Sequence, residues 1–246
     1  MITFSKKHTL FIVLFICSVL FLSAAEKSFN IPGKGTIKRD VSLQTVENYD
    51  KNGCLTSSES AMGPVETYTY DKKGKLILFA NENGFEQNYE YDKKGNLIHM
   101  KDNEGFEVWY TYDDSGKLSV AKDNENLETH YTYDAAGNLY QTELWDLEGD
   151  AVIEMEWYYY DDNNRLIRKE VSYGSAVDYT YDKAGNLIDE RYSDGTNIEY
   201  VYSQSGQLLY RYTTTSDSEQ EEFYEYELWN NGKVKTRKTY LWEVFG

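Results

Sequence analysis

A tyrosine-centred motif, YxYDxxGxL, recurs along almost the whole chain, and this periodicity constrains the fold more than any other feature. Its second tyrosine falls at Tyr49, Tyr70, Tyr91, Tyr112, Tyr133, Tyr160, Tyr181, Tyr202 and Tyr226. The interval is 21 residues, stretched to 27 before Tyr160 and to 24 before Tyr226. A period of this length means one small supersecondary unit used many times. In GFEQNYEYD, Phe85, Gln87, Tyr89 and Tyr91 alternate with Glu86, Asn88 and Glu90. Alternation of period two is a strand signal and sets both motif tyrosines on one face. A helix would turn residues two apart about 200° from each other.

Each motif strand ends in a turn. Asp71 to Gly74, Asp92 to Gly95, Asp113 to Gly116, Asp134 to Gly137 and Asp182 to Gly185 share the DxxG form, after Tyr70, Tyr91, Tyr112, Tyr133 and Tyr181. Aspartate accepts a backbone N–H two residues on, and glycine supplies the positive φ that closes a short hairpin. Asn164 replaces the glycine once, and asparagine tolerates the left-handed region; Ser203 replaces the aspartate once as a weaker acceptor. A second strand begins at Leu76, Leu97, Leu118, Leu139, Leu166, Leu187 or Leu208 and ends at another turn such as DNEG or SDG. The fold class is therefore all-β, with antiparallel hairpin repeats of about 21 residues forming a curled or spiral ribbon. The six added residues around Trp145 and Gly149 lengthen one hairpin without flipping its faces. The three added residues in TTTSDSEQEE are polar and are placed in a loop. The last repeat has Glu227 at the aspartate position and Gly232 displaced by two residues, as expected of a terminal cap.

Residues 1–25 differ from the rest. Lys6 and Lys7 precede an apolar run from Leu10 to Leu22, followed by Ser23, Ala24 and Ala25. This is the pattern of a secretory signal peptide cleaved after Ala25. A lipid-modified Cys17 fits poorly, because bulky Ile16 precedes it. Residues 26–45 form a lead-in, and 46–246 the repeat array. Past the leader only Cys54 remains, so stability must come from sheet and core rather than from an intrachain disulfide. The expected location is secreted or cell-envelope, with no membrane span after cleavage. The formal net charge is −17, a field that disfavours nucleic acid and anionic headgroups, favours a basic or neutral partner and also serves solubility.

The YxYDxxGxL unit resembles the YD repeat of the Rhs family, found in bacterial Rhs and toxin-complex shells and in teneurins. The likeness covers about Tyr49 to Tyr226. It implies a β-ribbon that spirals into a shell around a toxic segment, although neither a toxin segment nor an autoproteolytic core motif follows the repeats here. WYYYDDNNRL (Trp157 to Leu166) also resembles the aromatic hairpins of choline- and glucan-binding repeats, whose Gly-Trp pair is missing.

No nucleophile motif or zinc spacing surrounds His99 or His130, and the acids recur in every repeat where a catalytic pair would be singular. The chain is expected to be non-enzymatic and without a cofactor. DNEG and DLEGD offer oxygen ligands for calcium, but capping of the turn accounts for their aspartates. A transmembrane β-barrel is opposed by Glu86, Asn88, Glu90, Glu107, Glu128, Asp178 and Glu199 on the face opposite the tyrosines. The position just before the first motif tyrosine runs Thr67, Asn88, Trp109, His130, Trp157, Asp178, Glu199, Phe223. Trp109, His130 and Trp157, with Trp145 nearby, are the candidate contact row for a protein or glycan; a second packing layer is the alternative. The expected function is an exported interaction scaffold, with a carbohydrate-binding module and a component of an Rhs-type toxin-delivery system as alternatives.

Overall fold

The computed structural model describes residues 24–245. Apart from Ala24 and Ala25, the expected leader lies outside them. Nineteen strands are described: β1 (Ala25–Ile31), β2 (Gly35–Tyr49), β3 (Leu55–Ser60), β4 (Glu66–Tyr70), β5 (Leu76–Asn81), β6 (Glu86–Tyr91), β7 (Leu97–Asp102), β8 (Glu107–Tyr112), β9 (Leu118–Asp123) and β10 (Leu127–Tyr133). The series continues with β11 (Leu139–Asp146), β12 (Ala151–Tyr160), β13 (Leu166–Val171), β14 (Ala176–Tyr181), β15 (Leu187–Tyr192), β16 (Asn197–Tyr202), β17 (Leu208–Thr214), β18 (Ser218–Leu228) and β19 (Val234–Phe245). The fold is all-β and antiparallel, as the repeat requires. Two compact units divide it: unit 1 runs to Thr67 and resumes at Tyr200, and unit 2 is Tyr68–Glu199.

The turns follow the chemistry of DxxG. Asp71 Oδ1 accepts the N–H groups of Lys73 at 2.8 Å and Lys75 at 2.9 Å, and Gly74 N donates to the Asp71 carbonyl at 3.0 Å. These donors, that of Lys75 foremost, hold the Asp71 carboxyl below the usual carboxylate range. Ser203 Oγ makes the equivalent bond to Gln207 N at 3.0 Å, and Asn164 adopts φ 58°. Turns at the opposite strand ends repeat the design, with Asn81 Oδ1 accepting from Asn83 N and Phe85 N. Gly116 has φ 85° and open space where a Cβ would stand, so substitution there isolates the backbone cost. Gly116→Val is expected to lower stability by about 1 kcal/mol or more and Gly116→Asn by much less. Chemical denaturation checks this, and equal losses would contradict the turn geometry.

Unit 2 is a meander in which successive strands pair. Its second motif tyrosines have a role that the alternation alone does not reveal. Tyr91, Tyr112, Tyr133 and Tyr181 donate their hydroxyls to the carbonyls of Leu76, Leu97, Leu118 and Leu166, each at 2.8 Å. Every such tyrosine thereby latches its hairpin to the previous one. Lys75, Lys117 and Arg165 place their cations 4.7, 4.8 and 5.1 Å from the rings of Tyr91, Tyr133 and Tyr181. The long interval extends β11 and β12, whose ladder carries a bulge between Leu144 and Trp145.

In unit 1, β19 pairs with β2 along Thr236↔Asn48 to Leu241↔Ser42, so the last repeat is bonded to the first. Trp229 Nε1 donates to the Tyr49 carbonyl at 3.1 Å, and Arg237 Nε lies 2.5 Å from Glu47. The three added residues form the expected loop: Thr215, Ser216 and Asp217 lie between β17 and β18, whose ladder the flanking pairs Thr213↔Gln220 and Thr214↔Glu219 continue. The polar residues beyond it take partners from outside the hairpin, Arg39 for Glu221 being one.

Those partners belong to the lead-in segment. Strand β2 is continuous across the 45/46 boundary, pairing first with β1 and then with β19 and β3. The β1–β2 hairpin lies on the sheet face opposite Tyr224 and Tyr226. Phe29 stacks on Phe223 with centroids 4.1 Å apart, Lys27 reaches Glu225 at 2.8 Å, and Arg39 reaches Glu221 at 2.5 Å. Phe29, Ile31, Val41, Tyr210 and Phe223 are the buried core here, with Leu209, Tyr240 and Trp242 packed against them.

Candidate functional site

The face of unit 2 opposite the tyrosines carries the candidate residues. In β8 the alternation leaves Tyr110 and Tyr112 half-buried and Trp109 exposed at 44%. The Trp109 ring stacks on His99 of β7, with centroids 5.3 Å apart and planes 15° from parallel. His99 Nε2 lies 2.9 Å from Glu107 Oε2, and Lys101 Nζ donates to Glu107 Oε1 at 2.6 Å. These bonds, that from Lys101 first, hold the Glu107 carboxyl below its usual range. Glu90 stands 3.8 Å from the other ring nitrogen of His99. The indole therefore rests on an imidazole that charged side chains hold in place.

A second cluster lies on β10 and β11. His130 Nε2 meets Glu128 Oε1 at 2.7 Å, its ring is tilted against Trp145 with centroids 6.0 Å apart, and Trp145 Nε1 donates to Glu143 at 3.1 Å. Trp157 is half-buried on β12 and pairs across the sheet with Gln141 and Glu170.

The candidates thus share a face but not one straight row. Trp109 pairs with Lys122, and Lys122 with Glu128 rather than His130. Glu128 pairs in turn with Trp145, while His130 pairs with Glu143 and Glu143 with Met155, two residues short of Trp157. Equivalent positions step by two residues from β8 to β10 to β12, so the motif row runs diagonally. Trp109 and Trp145 share a register row, and the ring contacts are His99 with Trp109 and His130 with Trp145. His99 was missed as a member of the site; the turn at Asp102 to Gly105 already sets it opposite Trp109.

The turn aspartates are structural. Asp102 Oδ1 accepts from Glu104 N and Phe106 N, and Asp146 Oδ1 from Glu148 N and Gly149 N, in the segments considered for calcium. Among the described residues, no helix is long and apolar enough to cross a membrane.

An antiparallel hairpin array latched by tyrosines defines a class of repeat protein, and sequence comparison gives its family. The teneurin YD-shell model matches residues 34–167, and the RHS repeat model matches residues 160–197. The chain belongs to the YD-shell family. No curated protein matches it in sequence. Among solved structures it is similar to TcdB2-TccC3, at 14% identity and a TM-score of 0.40 over 83% of this chain and 16% of that one. The Tc holotoxin pore of Photorhabdus luminescens gives 13% and 0.33, over 86% and 18%. A porin-like protein from Bacteroides uniformis gives 12% and 0.45, over 83% and 95%. The chain spans less than a fifth of the two toxin chains.

Proposed function

We propose that this protein is an exported, non-enzymatic YD-repeat scaffold that engages a protein partner through the aromatic face of unit 2, in association with an Rhs-type toxin-delivery system. Family membership supports the scaffold reading. The observation that carries the binding reading is Trp109, a large exposed ring stacked on His99, which Glu107 in turn holds. An aromatic already held in one orientation loses little side-chain freedom on binding. The tyrosine face is committed instead to the latches that join the hairpins.

The products of neighbouring genes and a glycan array supply the ligands for a test. Replacing Trp109 and Trp157 together with alanine is expected to abolish binding of a protein ligand while shifting the thermal melt only slightly. Replacing Tyr110 and Tyr131 with alanine is expected to cost stability, since both rings are half-buried on the packed tyrosine face. Equal destabilisation by the two pairs would make the tryptophans packing residues and remove the site. Saturable glycan binding lost with the tryptophans would establish a carbohydrate module instead.

A further inference from the structure

The last repeat shows what the face opposite the tyrosines can hold. Phe223 occupies the same repeat position as Trp109, just before the first motif tyrosine, and is fully buried because the β1–β2 hairpin covers it. Glu221 and Glu225, two residues to either side, take Arg39 and Lys27. Leu209, the residue after a motif leucine, packs into the same cluster. The covering segment is basic in an acidic chain: Ala25–Val41 holds Lys27, Lys34, Lys38 and Arg39 against Glu26 and Asp40.

Unit 2 divides these positions between two repeats: the paired carboxylates flank Asn88 on β6, and the aromatic is Trp109 on β8. Glu86, Glu107 and Glu128 stand at the position of Glu221, and Glu90 at that of Glu225. Glu107 and Glu128 are engaged by their own lysines and histidines, whereas Glu86 is exposed and the Glu90 side chain, 3.8 Å from His99 Nδ1, is 69% exposed. Ile77 and Ile98, both at the repeat position of Leu209, are exposed, as is Trp109. Exposed apolar side chains beside exposed carboxylates, the side-chain types that accept a basic hairpin elsewhere in the chain, form a complementary surface for another such segment.

We infer that this face of unit 2 receives a basic β-hairpin bearing an aromatic side chain, supplied by the protein partner. The aromatic ring packs on Trp109, and lysine or arginine side chains meet Glu86 and Glu90. The inference rests on the partner-binding reading above and names the chemistry of the partner.

The probe is a head-to-tail cyclised peptide of residues 25–41, titrated into the full-length protein and followed by calorimetry. Saturable binding that weakens as salt rises is expected. Trp109→Ala should weaken it about thirtyfold, as loss of a hot-spot aromatic does. Trp109→Phe should restore most of the affinity, Phe29→Ala in the peptide should reproduce the loss, and Glu86→Gln with Glu90→Gln should flatten the salt dependence. Circular dichroism melts confirm that each variant is folded. Absence of saturable binding, or binding indifferent to Trp109, as exchange with the hairpin of unit 1 would be, overturns the inference. Trp109-dependent self-association in sedimentation makes the occupant a second copy and also overturns it. A partner protein that depends on Trp109 while the peptide does not bind defeats the hairpin assignment alone; a partner indifferent to Trp109 defeats the binding reading itself.

Discussion

Phe223→Ala is expected to destabilise unit 1 by about 3–5 kcal/mol, the usual cost of truncating a fully buried phenylalanine. The ring has no exposed surface and contacts Phe29 at 4.1 Å and Tyr210 at 5.3 Å. The same change at the equivalent position of another repeat, Trp109→Ala, is expected to cost only about 1 kcal/mol, mainly its stacking on His99. Urea denaturation of both variants measures the contrast. Similar costs would mean either that the hairpin does not cover Phe223 in solution or that Trp109 is a packing residue.

A second large effect is expected in alkali. Desolvation raises the phenol pKa values of Tyr89, Tyr110, Tyr131 and Tyr179, so the fold retains these protons where the unfolded chain releases them. The stabilisation is complete below the ordinary tyrosine value of about 10 and is lost as pH rises through the folded values. Each retained proton steepens the decline by up to about 1.4 kcal/mol per pH unit, and many tyrosines act together. Melting temperature should therefore be flat to about pH 9 and fall steeply above about pH 10. The phenolate absorbance of these half-buried tyrosines should appear together with unfolding. Smooth titration of the folded protein near pH 10 would show that the tyrosine face is open to solvent.

The repeat made most of the fold legible. DxxG specified the turns because its side-chain and backbone bonds are local, and even the exceptions at Asn164 and Ser203 obeyed the same geometry. Contacts distant in sequence were not legible. Neither the tyrosine latch onto the preceding leucine carbonyl nor the β1–β2 cover over Phe223 follows from alternation within a strand. Nor does local patterning reveal that Glu221, beyond the three-residue loop at 215–217, takes its cation from Arg39. The candidate residues share a face but not a line, because motif spacing defines equivalent positions but only the ladders reveal the two-residue step from hairpin to hairpin.

The pairing of β19 with β2 also sets the order in which the protein can assemble. Glu47 and Arg237 are separated by 190 residues, whereas hairpins such as β7–β8 join residues ten apart. Local hairpins form on the microsecond scale, but closing a loop of this span carries a large entropic cost before any contact repays it. Unit 2 can therefore build itself strand by strand as the chain emerges, while unit 1 must wait for the final strand to be made. Until then β2 keeps an unpaired edge, which exposes the nascent chain to strand-mediated aggregation for as long as β19 has yet to be made.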